Sequence, residues 1–130
     1  MKSLNLFAAV AAASVIAGAA SAAVMNAPPA DSWTVTNYYK QAVYDPNNTK
    51  VGSVDDVLLD KEGKVTGLVI GVGGFLGLDQ KDVIVPFSDV TVAKKDNKWW
   101  LTINETKDAL KAAPGFTYDR ETTMWQQAKS

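Results

Sequence analysis

The stretch VTGLVIGVGGFLGLDQKDVIVPF, residues 65–87, contains two apolar segments on either side of a glycine-rich loop. Residues 65–72 are apolar, uncharged and rich in β-branched side chains, which favours a strand buried on much of both faces. Val83, Val85 and Phe87 alternate along residues 82–87 and should share one face of a second strand. Glycine inside a strand costs about 0.5–1 kcal/mol relative to alanine. The glycines therefore indicate bulges, bends or close backbone approaches, which a small closed barrel requires.

The loop between these strands, residues 73–81, does not fit a nucleotide-binding loop. The dinucleotide fingerprint would require glycine at position 76, which is Leu76, and the loop leads into a strand rather than a helix. Two alternatives remain. The loop either packs Phe75 and Leu76 against the end of the barrel, or exposes Phe75, Leu76 and Leu78 to a partner.

Four segments resemble the PRC-barrel family: KVGSVDDVLLD (50–60), EGKV (62–65), GGFLG (73–77) and VIVPF (83–87). This family shares a small β-barrel domain with the photosynthetic reaction-centre H subunit and a ribosome-maturation factor. The resemblance covers roughly residues 37–118 and is closest to secreted, single-domain bacterial members. It implies an assembly or docking module without shared catalytic residues. The positions carrying the structural signature are Gly52, Asp56, Asp60, Gly63, Gly73, Gly74, Gly77, Pro86 and Phe87.

These patterns predict a mainly β fold, a small PRC-type β-barrel of about six short strands with one short C-terminal helix. The predicted strands are residues 41–44, 50–60, 65–72, 82–87, 88–93 and 99–103, and the predicted helix is 104–113, capped by Asn104 or Thr106 and ended by Pro114-Gly115. We assign residues 1–22 to a signal peptide, 23–36 to a linker, 37–113 to the barrel and 114–130 to an aromatic tail.

The N-terminus has the features of a secretory signal peptide. A lysine at position 2 precedes the apolar residues 4–17, and Ala20-Ser21-Ala22 provides small residues for cleavage. A transmembrane helix is the competing interpretation, but the apolar run is alanine-rich and is not followed by a charged stop. We therefore expect a bacterial periplasmic or secreted protein with no integral membrane span after cleavage.

Composition excludes several kinds of chemistry. The chain has no cysteine and no histidine, which removes thiol nucleophiles, cysteine–zinc sites and Ser-His-Asp or Cys-His catalysis. The net charge is −1, or about −2 once Lys2 is removed, and no basic patch points to nucleic acid as a partner. We expect neither a cofactor nor enzymatic activity.

The best candidates for a metal site or an acid–base pair are Asp55, Asp56 and Asp60. They do not fit the spacing of a calcium-binding loop, and adjacent strand residues such as Asp55 and Asp56 should point to opposite faces. Solvated turn residues and a carboxylate bonded to backbone N–H groups are therefore the favoured interpretation, and we predict no metal site.

Aromatic side chains supply further candidates for interaction: Tyr38, Tyr39, Trp100 and Trp125. The tyrosine pair either covers the mouth of the barrel or forms a recognition surface. Trp100 should lie on the opposite face from Trp99, so that one of the two is in the core. The tail either folds back, which we favour for Phe116 and Tyr118, or docks elsewhere as a disordered peptide.

Two functions follow from these features. The first is an exported, non-catalytic module that docks on an unidentified envelope protein or associates with itself. The alternative is a carboxylate-based metal-binding protein or hydrolase that uses Asp55, Asp56 and Asp60.

Overall fold

The computed structural model describes residues 23–73 and 80–129. The predicted signal peptide lies outside the described residues, as do Gly74, Phe75, Leu76, Gly77 and Leu78. The chain divides into two units, Met1–Ser32 and Trp33–Ser130. In the first unit, the amide of Ser32 donates to the carbonyl of Pro29 over 3.2 Å. None of the helices in the described part of the chain is long and apolar enough to cross a membrane.

Eight strands and one α-helix form the second unit as far as it is described. The strands are β1 (Ala42–Tyr44), β2 (Lys50–Leu59), β3 (Val65–Val72), β4 (Lys81–Pro86), β5 (Val90–Lys95), β6 (Lys98–Ile103), β7 (Phe116–Asp119) and β8 (Met124–Gln127). Helix α1 is Lys107–Ala112, and two 3-10 helices are Val35–Asn37 and Phe87–Asp89. The prediction of a mainly β fold with one short helix is confirmed.

The strands form a single sheet in the order β5-β6-β1-β2-β3-β4-β7-β8. Neighbouring strands are antiparallel, except that β1 and β6 run parallel. Two parts of the fold prediction are corrected here. The sheet has eight strands rather than about six, because the aromatic tail supplies β7 and β8, and the sheet is open, with β5 and β8 at its ends.

The largest differences from the predicted element boundaries are at strand β5 and helix α1, and each has a local reason. Strand β5 begins at Val90 rather than position 88, because the chain after Pro86 first makes a 3-10 turn. Helix α1 begins at Lys107 because Thr106 is its N-cap, with the side-chain oxygen of Thr106 accepting from the amide of Ala109 over 3.1 Å. Of the two predicted N-cap residues, Asn104 and Thr106, the structure therefore has Thr106.

The hydrophobic core lies where β1, β2, β3, β4 and β6 meet helix α1. Its buried members are Val43, Val51, Val54, Leu68, Ile70, Val72, Val83, Val85, Leu101, Ile103 and Leu110. The ammonium of Lys81 on β4 holds the end of the helix, where it donates to the carbonyls of Lys111 and, over 2.6 Å, of Ala113.

Glycines allow β2 and β3 to approach closely. A Cβ atom at Gly52 would lie 2.1 Å from the carbonyl oxygen of Gly71, so no other residue fits there without separating the strands. The register of this pair shifts between Val54 and Asp56, which places a bulge at the Asp55-Asp56 dipeptide where the charges interrupt the strand pattern.

Candidate docking groove

The part of the second unit that is described has a groove beside the first 3-10 helix, which we call the aromatic groove. Its volume is about 530 Å³. It is lined by Trp33, Thr34, Val35, Tyr38, Val57, Leu59, Gly63, Lys64, Val65 and Phe87. These residues come from the segment before β1, from the end of β2, from the β2–β3 turn, from the first residue of β3 and from the residue after β4. The folded sheet therefore brings together positions that are far apart in sequence.

Stacked rings form one wall of the groove. The ring centroids of Trp33 and Tyr38 are 5.7 Å apart, and Phe87 meets Tyr38 edge-on at 5.6 Å. Tyr38 is held by its amide, which donates to the carbonyl of Val35 over 3.0 Å. Tyr38 and Phe87 also pack against the core. Burial raises the pKa of the Tyr38 phenol above its ordinary value.

The outer part of the groove exposes apolar surface to water. Trp33 is 40%, Val35 57% and Leu59 54% exposed. Such neighbouring large apolar side chains mark a surface suited to contact with another molecule, whereas singly scattered ones do not. Charge enters the lining through Lys64, and no carboxylate-bearing residue belongs to the lining among residues 23–73 and 80–129.

The other predicted interaction residues lie outside the groove. Tyr39 is exposed, with the ammonium of Lys40 5.1 Å from its ring centroid. Trp100 stacks on Tyr44 with centroids 3.8 Å apart. Trp125 is partly buried and donates through Nε1 to Asp56 over 2.8 Å. Of the predicted set, Tyr38 is therefore the described residue that reaches the groove, while Phe75, Leu76 and Leu78 are not described.

Sequence reasoning did not identify Trp33, Val35 and Leu59 as interaction residues. The first two fall in the segment assigned to the linker, and Leu59 lies near the end of the predicted strand 50–60, which supplied no interaction candidate. Trp33 nevertheless packs on Trp99 of β6, with ring centroids 4.1 Å apart. An isolated tryptophan after a proline-rich segment was the available signal, but its partner is 66 residues away in sequence.

The three aspartates proposed for chemistry have separate structural contacts. Asp60 closes the β2–β3 turn, where its Oδ1 accepts from the amides of Glu62 and Lys64 over 2.9 Å each. Asp56 accepts from the amide of Val57 and from the Trp125 indole. Among the described residues, no group of three or more potential metal-ligating His, Cys, Asp or Glu side chains forms. The sequence favours one carboxylate bonded to backbone N–H groups beside solvated turn residues, whereas the structure has two such carboxylates, Asp56 and Asp60.

Asp55 instead meets a residue that the sequence did not single out, Asp82 on β4. Burial raises the pKa of the Asp82 carboxyl to about 7, with further contributions from a hydrogen bond to Asp55 and from its charge. The Oδ1 atom of Asp82 is buried and makes no hydrogen bond among the described residues. Gln80 donates through Nε2 to Oδ2 of Asp55 over 3.0 Å.

Gly71 makes this carboxyl pair possible. It lies between the two strands that carry the aspartates, with its Cα opposite Asp82 on one side and opposite Ser53 on the other. A Cβ atom at Gly71 would come within 2.6 Å of Oδ2 of Asp55. Because glycine leaves this space free, the carboxyls can approach each other across β3.

The remaining described signature positions lie in the β2–β3 turn and at the ends of β3 and β4. Gly63 lies in the β2–β3 turn, where its amide donates to the carbonyl of Asp60 over 3.0 Å. Gly73 follows the end of β3 and Pro86 is the last residue of β4. Phe87 belongs to the wall of the aromatic groove.

A sequence model of the PRC-barrel domain matches residues 33–110, which is more than half of the chain. The matched region begins at Trp33, the first residue of the unit that contains the groove, and includes the whole groove lining. No curated protein matches the chain.

Proposed function

The chain belongs to the PRC-barrel domain family, and on this premise we propose that it is an exported, non-catalytic module that docks on a protein of the bacterial envelope. The observation that carries this proposal is the aromatic groove, with Trp33, Val35 and Leu59 exposed along it. The expected partner element is an apolar segment of a protein, because a groove of about 530 Å³ has room for several side chains and tryptophan is enriched at binding hot spots.

The strength of such docking follows from the apolar surface that remains to be buried. Complete burial of an aliphatic or aromatic side chain is worth roughly 1.5–3 kcal/mol. Trp33, Val35 and Leu59 are each about half exposed, so each adds about 1 kcal/mol on docking. A total of about 3 kcal/mol does not offset the loss of translational and rotational freedom on association. Docking therefore requires additional contacts.

The experiment that tests the proposal places a photo-crosslinking amino acid at Leu59 of the tagged full chain in its own cells. The matched control places it at Tyr118, an exposed aromatic residue on β7 outside the groove. We expect one envelope protein to crosslink from position 59 but not from position 118. Val35→Asp should abolish this product while the thermal melting curve stays intact, because Val35 is mostly exposed.

Two results would contradict the groove assignment. Equal crosslinking from positions 59 and 118, or none from position 59, would remove it. A third crosslinker at Leu76 tests the predicted loop site. A product from position 76 alone, lost in the Leu76→Asp/Leu78→Asp variant, would assign docking to the loop instead.

A further inference from the structure

Strands β7 and β8 form a C-terminal hairpin, which we call the tail hairpin, and few contacts attach it to the rest of the sheet. Within the described residues, β7 pairs with β4 only at Phe116 and Asp82, whereas β3 and β4 pair along residues 67–72. None of the residues of β7 and β8 is buried. A second attachment is the hydrogen bond from the Trp125 indole to Asp56. Elements with so few buried contacts open locally at a lower free energy than the core unfolds.

The pairing of Phe116 places the tail hairpin beside the carboxyl pair of Asp55 and Asp82. Residues directly opposite each other on paired strands have their side chains on the same face of the sheet, so the side chain of Phe116 lies next to that of Asp82. The Oδ1 atom of Asp82 is buried and makes no hydrogen bond among the described residues. Both residues line a cavity of about 470 Å³ between β4 and the hairpin, together with Lys81 and Lys129. Opening of the hairpin would remove the Phe116 side chain and admit water to the Asp82 carboxyl.

The groups around Asp82 favour its neutral form while the hairpin is closed. Strand β2 contributes the carboxyl of Asp55, β3 contributes Gly71, which has no side chain, and β7 contributes an uncharged aromatic ring. Two lysines border the cavity, Lys81 and Lys129, and the ammonium of Lys81 donates to carbonyls at the end of helix α1. Burial first, and then Asp55, raise the pKa of Asp82 to about 7, and no positive group among the described residues lowers it.

We propose that the carboxyl pair of Asp55 and Asp82 is a pH-sensitive switch, which keeps the tail hairpin closed while the pair holds a proton and favours its opening once both carboxyls are ionised. In the open hairpin, water reaches Asp82 and its carboxyl gives up the proton more easily than in the closed one. The proton therefore binds the closed state preferentially and shifts the equilibrium toward it. As pH rises through about 7, the proton is lost and the open state becomes more populated. The switch is separate from the aromatic groove, whose lining contains neither carboxyl.

The composition of the chain leaves this pH range almost free of other titrations. The sequence contains no histidine and no cysteine. Ordinary carboxyl groups titrate near about pH 4 and ordinary lysines above about pH 10, and the α-amino group is the remaining group that titrates near about pH 8. That group lies at the opposite end of the sequence from the hairpin. A change in hairpin opening between pH 5 and pH 8 therefore reports on the carboxyl pair.

The test is amide hydrogen exchange of the full chain at pH 5 and pH 8, expressed as protection factors so that the intrinsic pH dependence of exchange is removed. Low concentrations of urea separate two kinds of amide. Rates that do not respond to urea belong to local opening, whereas rates that rise with urea belong to global unfolding, which β3 should report. The variants are Asp82→Asn and Asp55→Asn. The matched control is Asp96→Asn, which makes the same chemical change at the exposed turn between β5 and β6.

We expect the amides of β7 and β8 to exchange through local opening and to lose about fivefold of their protection between pH 5 and pH 8. This is less than the full pKa shift would give, because Asp82 is only partly buried and solvent screens the pair. Asp82→Asn should abolish the loss, and Asp96→Asn should preserve it. Asp55→Asn should reduce the loss without abolishing it, because burial of Asp82 remains.

Three results would overturn the inference. The first is equal protection of the hairpin amides at both pH values, and the second is a pH-dependent loss that persists in Asp82→Asn. The third is exchange of the hairpin amides only together with those of β3, because the hairpin would then have no opening of its own. Where Asp82→Asn does not fold, an unchanged loss in Asp55→Asn overturns the inference instead.

Discussion

The carboxyl pair of Asp55 and Asp82 makes a specific prediction for stability against pH. The pKa of Asp82 is raised from 3.8 to about 7, so the folded state keeps a proton that the unfolded chain has already lost between these values. The contribution of Asp82 to the free energy of unfolding is therefore fully present below about pH 4, decreases as pH rises through 7, and is lost above it. Asp119, whose pKa is lowered chiefly by a backbone hydrogen bond from Glu121, acts in the opposite direction and only in acid.

The size of the effect follows from the pKa shift and the partial exposure of the pair. If the whole pKa shift of Asp82 contributed to stability, the free energy of unfolding would fall by at most about 3 kcal/mol between pH 5 and pH 8. Asp82 is only partly buried, so solvent screening reduces this to about 1 kcal/mol. Asp82→Asn should remove this decrease and stabilise the protein at pH 8, because the amide can donate to Asp55 without carrying a charge.

Urea unfolding followed by tryptophan fluorescence at pH 5 and pH 8 measures this difference directly. Asp96→Asn is the matched control, since it makes the same chemical change at an exposed turn between β5 and β6. The original chain and this control should both lose stability between pH 5 and pH 8. The reasoning is refuted when the original chain is no less stable at pH 8, or when Asp82→Asn keeps the same decrease.

Three further predictions concern the contacts that hold the sheet together. Gly52→Ala should lower the free energy of unfolding by about 2–3 kcal/mol in urea titrations, because its methyl group would overlap the Gly71 carbonyl; an unchanged midpoint would contradict the close approach. Trp125→Phe removes the indole donor to Asp56 and should cost about 1–2 kcal/mol, with faster amide exchange in β8 than in β3; uniform exchange would argue against this anchor. Lys81→Met removes two hydrogen bonds to carbonyls at the end of helix α1 and should cost about 1 kcal/mol, seen as faster exchange in that helix, and Lys98→Met serves as the exposed-strand control.

Strands β2 and β3 were predictable because the hydrophobicity of their side chains follows directly from how deeply they are buried. Strand β3 spans Val65–Val72 as predicted, since its uninterrupted apolar, β-branched run is bounded by a polar turn and by glycines. Strand β2 ends one residue earlier than predicted, where Asp60 starts the hairpin turn. In these segments, local composition and turn chemistry determine the element without information from distant parts of the chain.

The strands of the tail were harder to predict because distant contacts determine them. Strand β7 joins the edge of β4, where Phe116 pairs with Asp82. Trp125 reaches Asp56, 69 residues away. Folding back of Phe116 and Tyr118 was the favoured alternative, but the aromatic composition alone does not specify which strand edge the tail joins. Trp33 was likewise assigned to the linker because its contact with Trp99 is distant in sequence.

The bulge in β2 connects the core with the carboxyl pair, and this explains why the pair was not visible in the sequence. The register shift allows Val54 and Val57 to face the core together, although residues three apart in a regular strand point to opposite faces. The two aspartates between them consequently need not point to opposite faces in regular alternation. Asp55 interacts with Asp82, whereas Asp56 accepts a hydrogen bond from the amide of Val57. In the sequence, the two adjacent aspartates only interrupt the alternation of apolar and polar residues along β2. The interruption is the feature that lets one strand supply core residues and a titrating carboxyl within four consecutive positions.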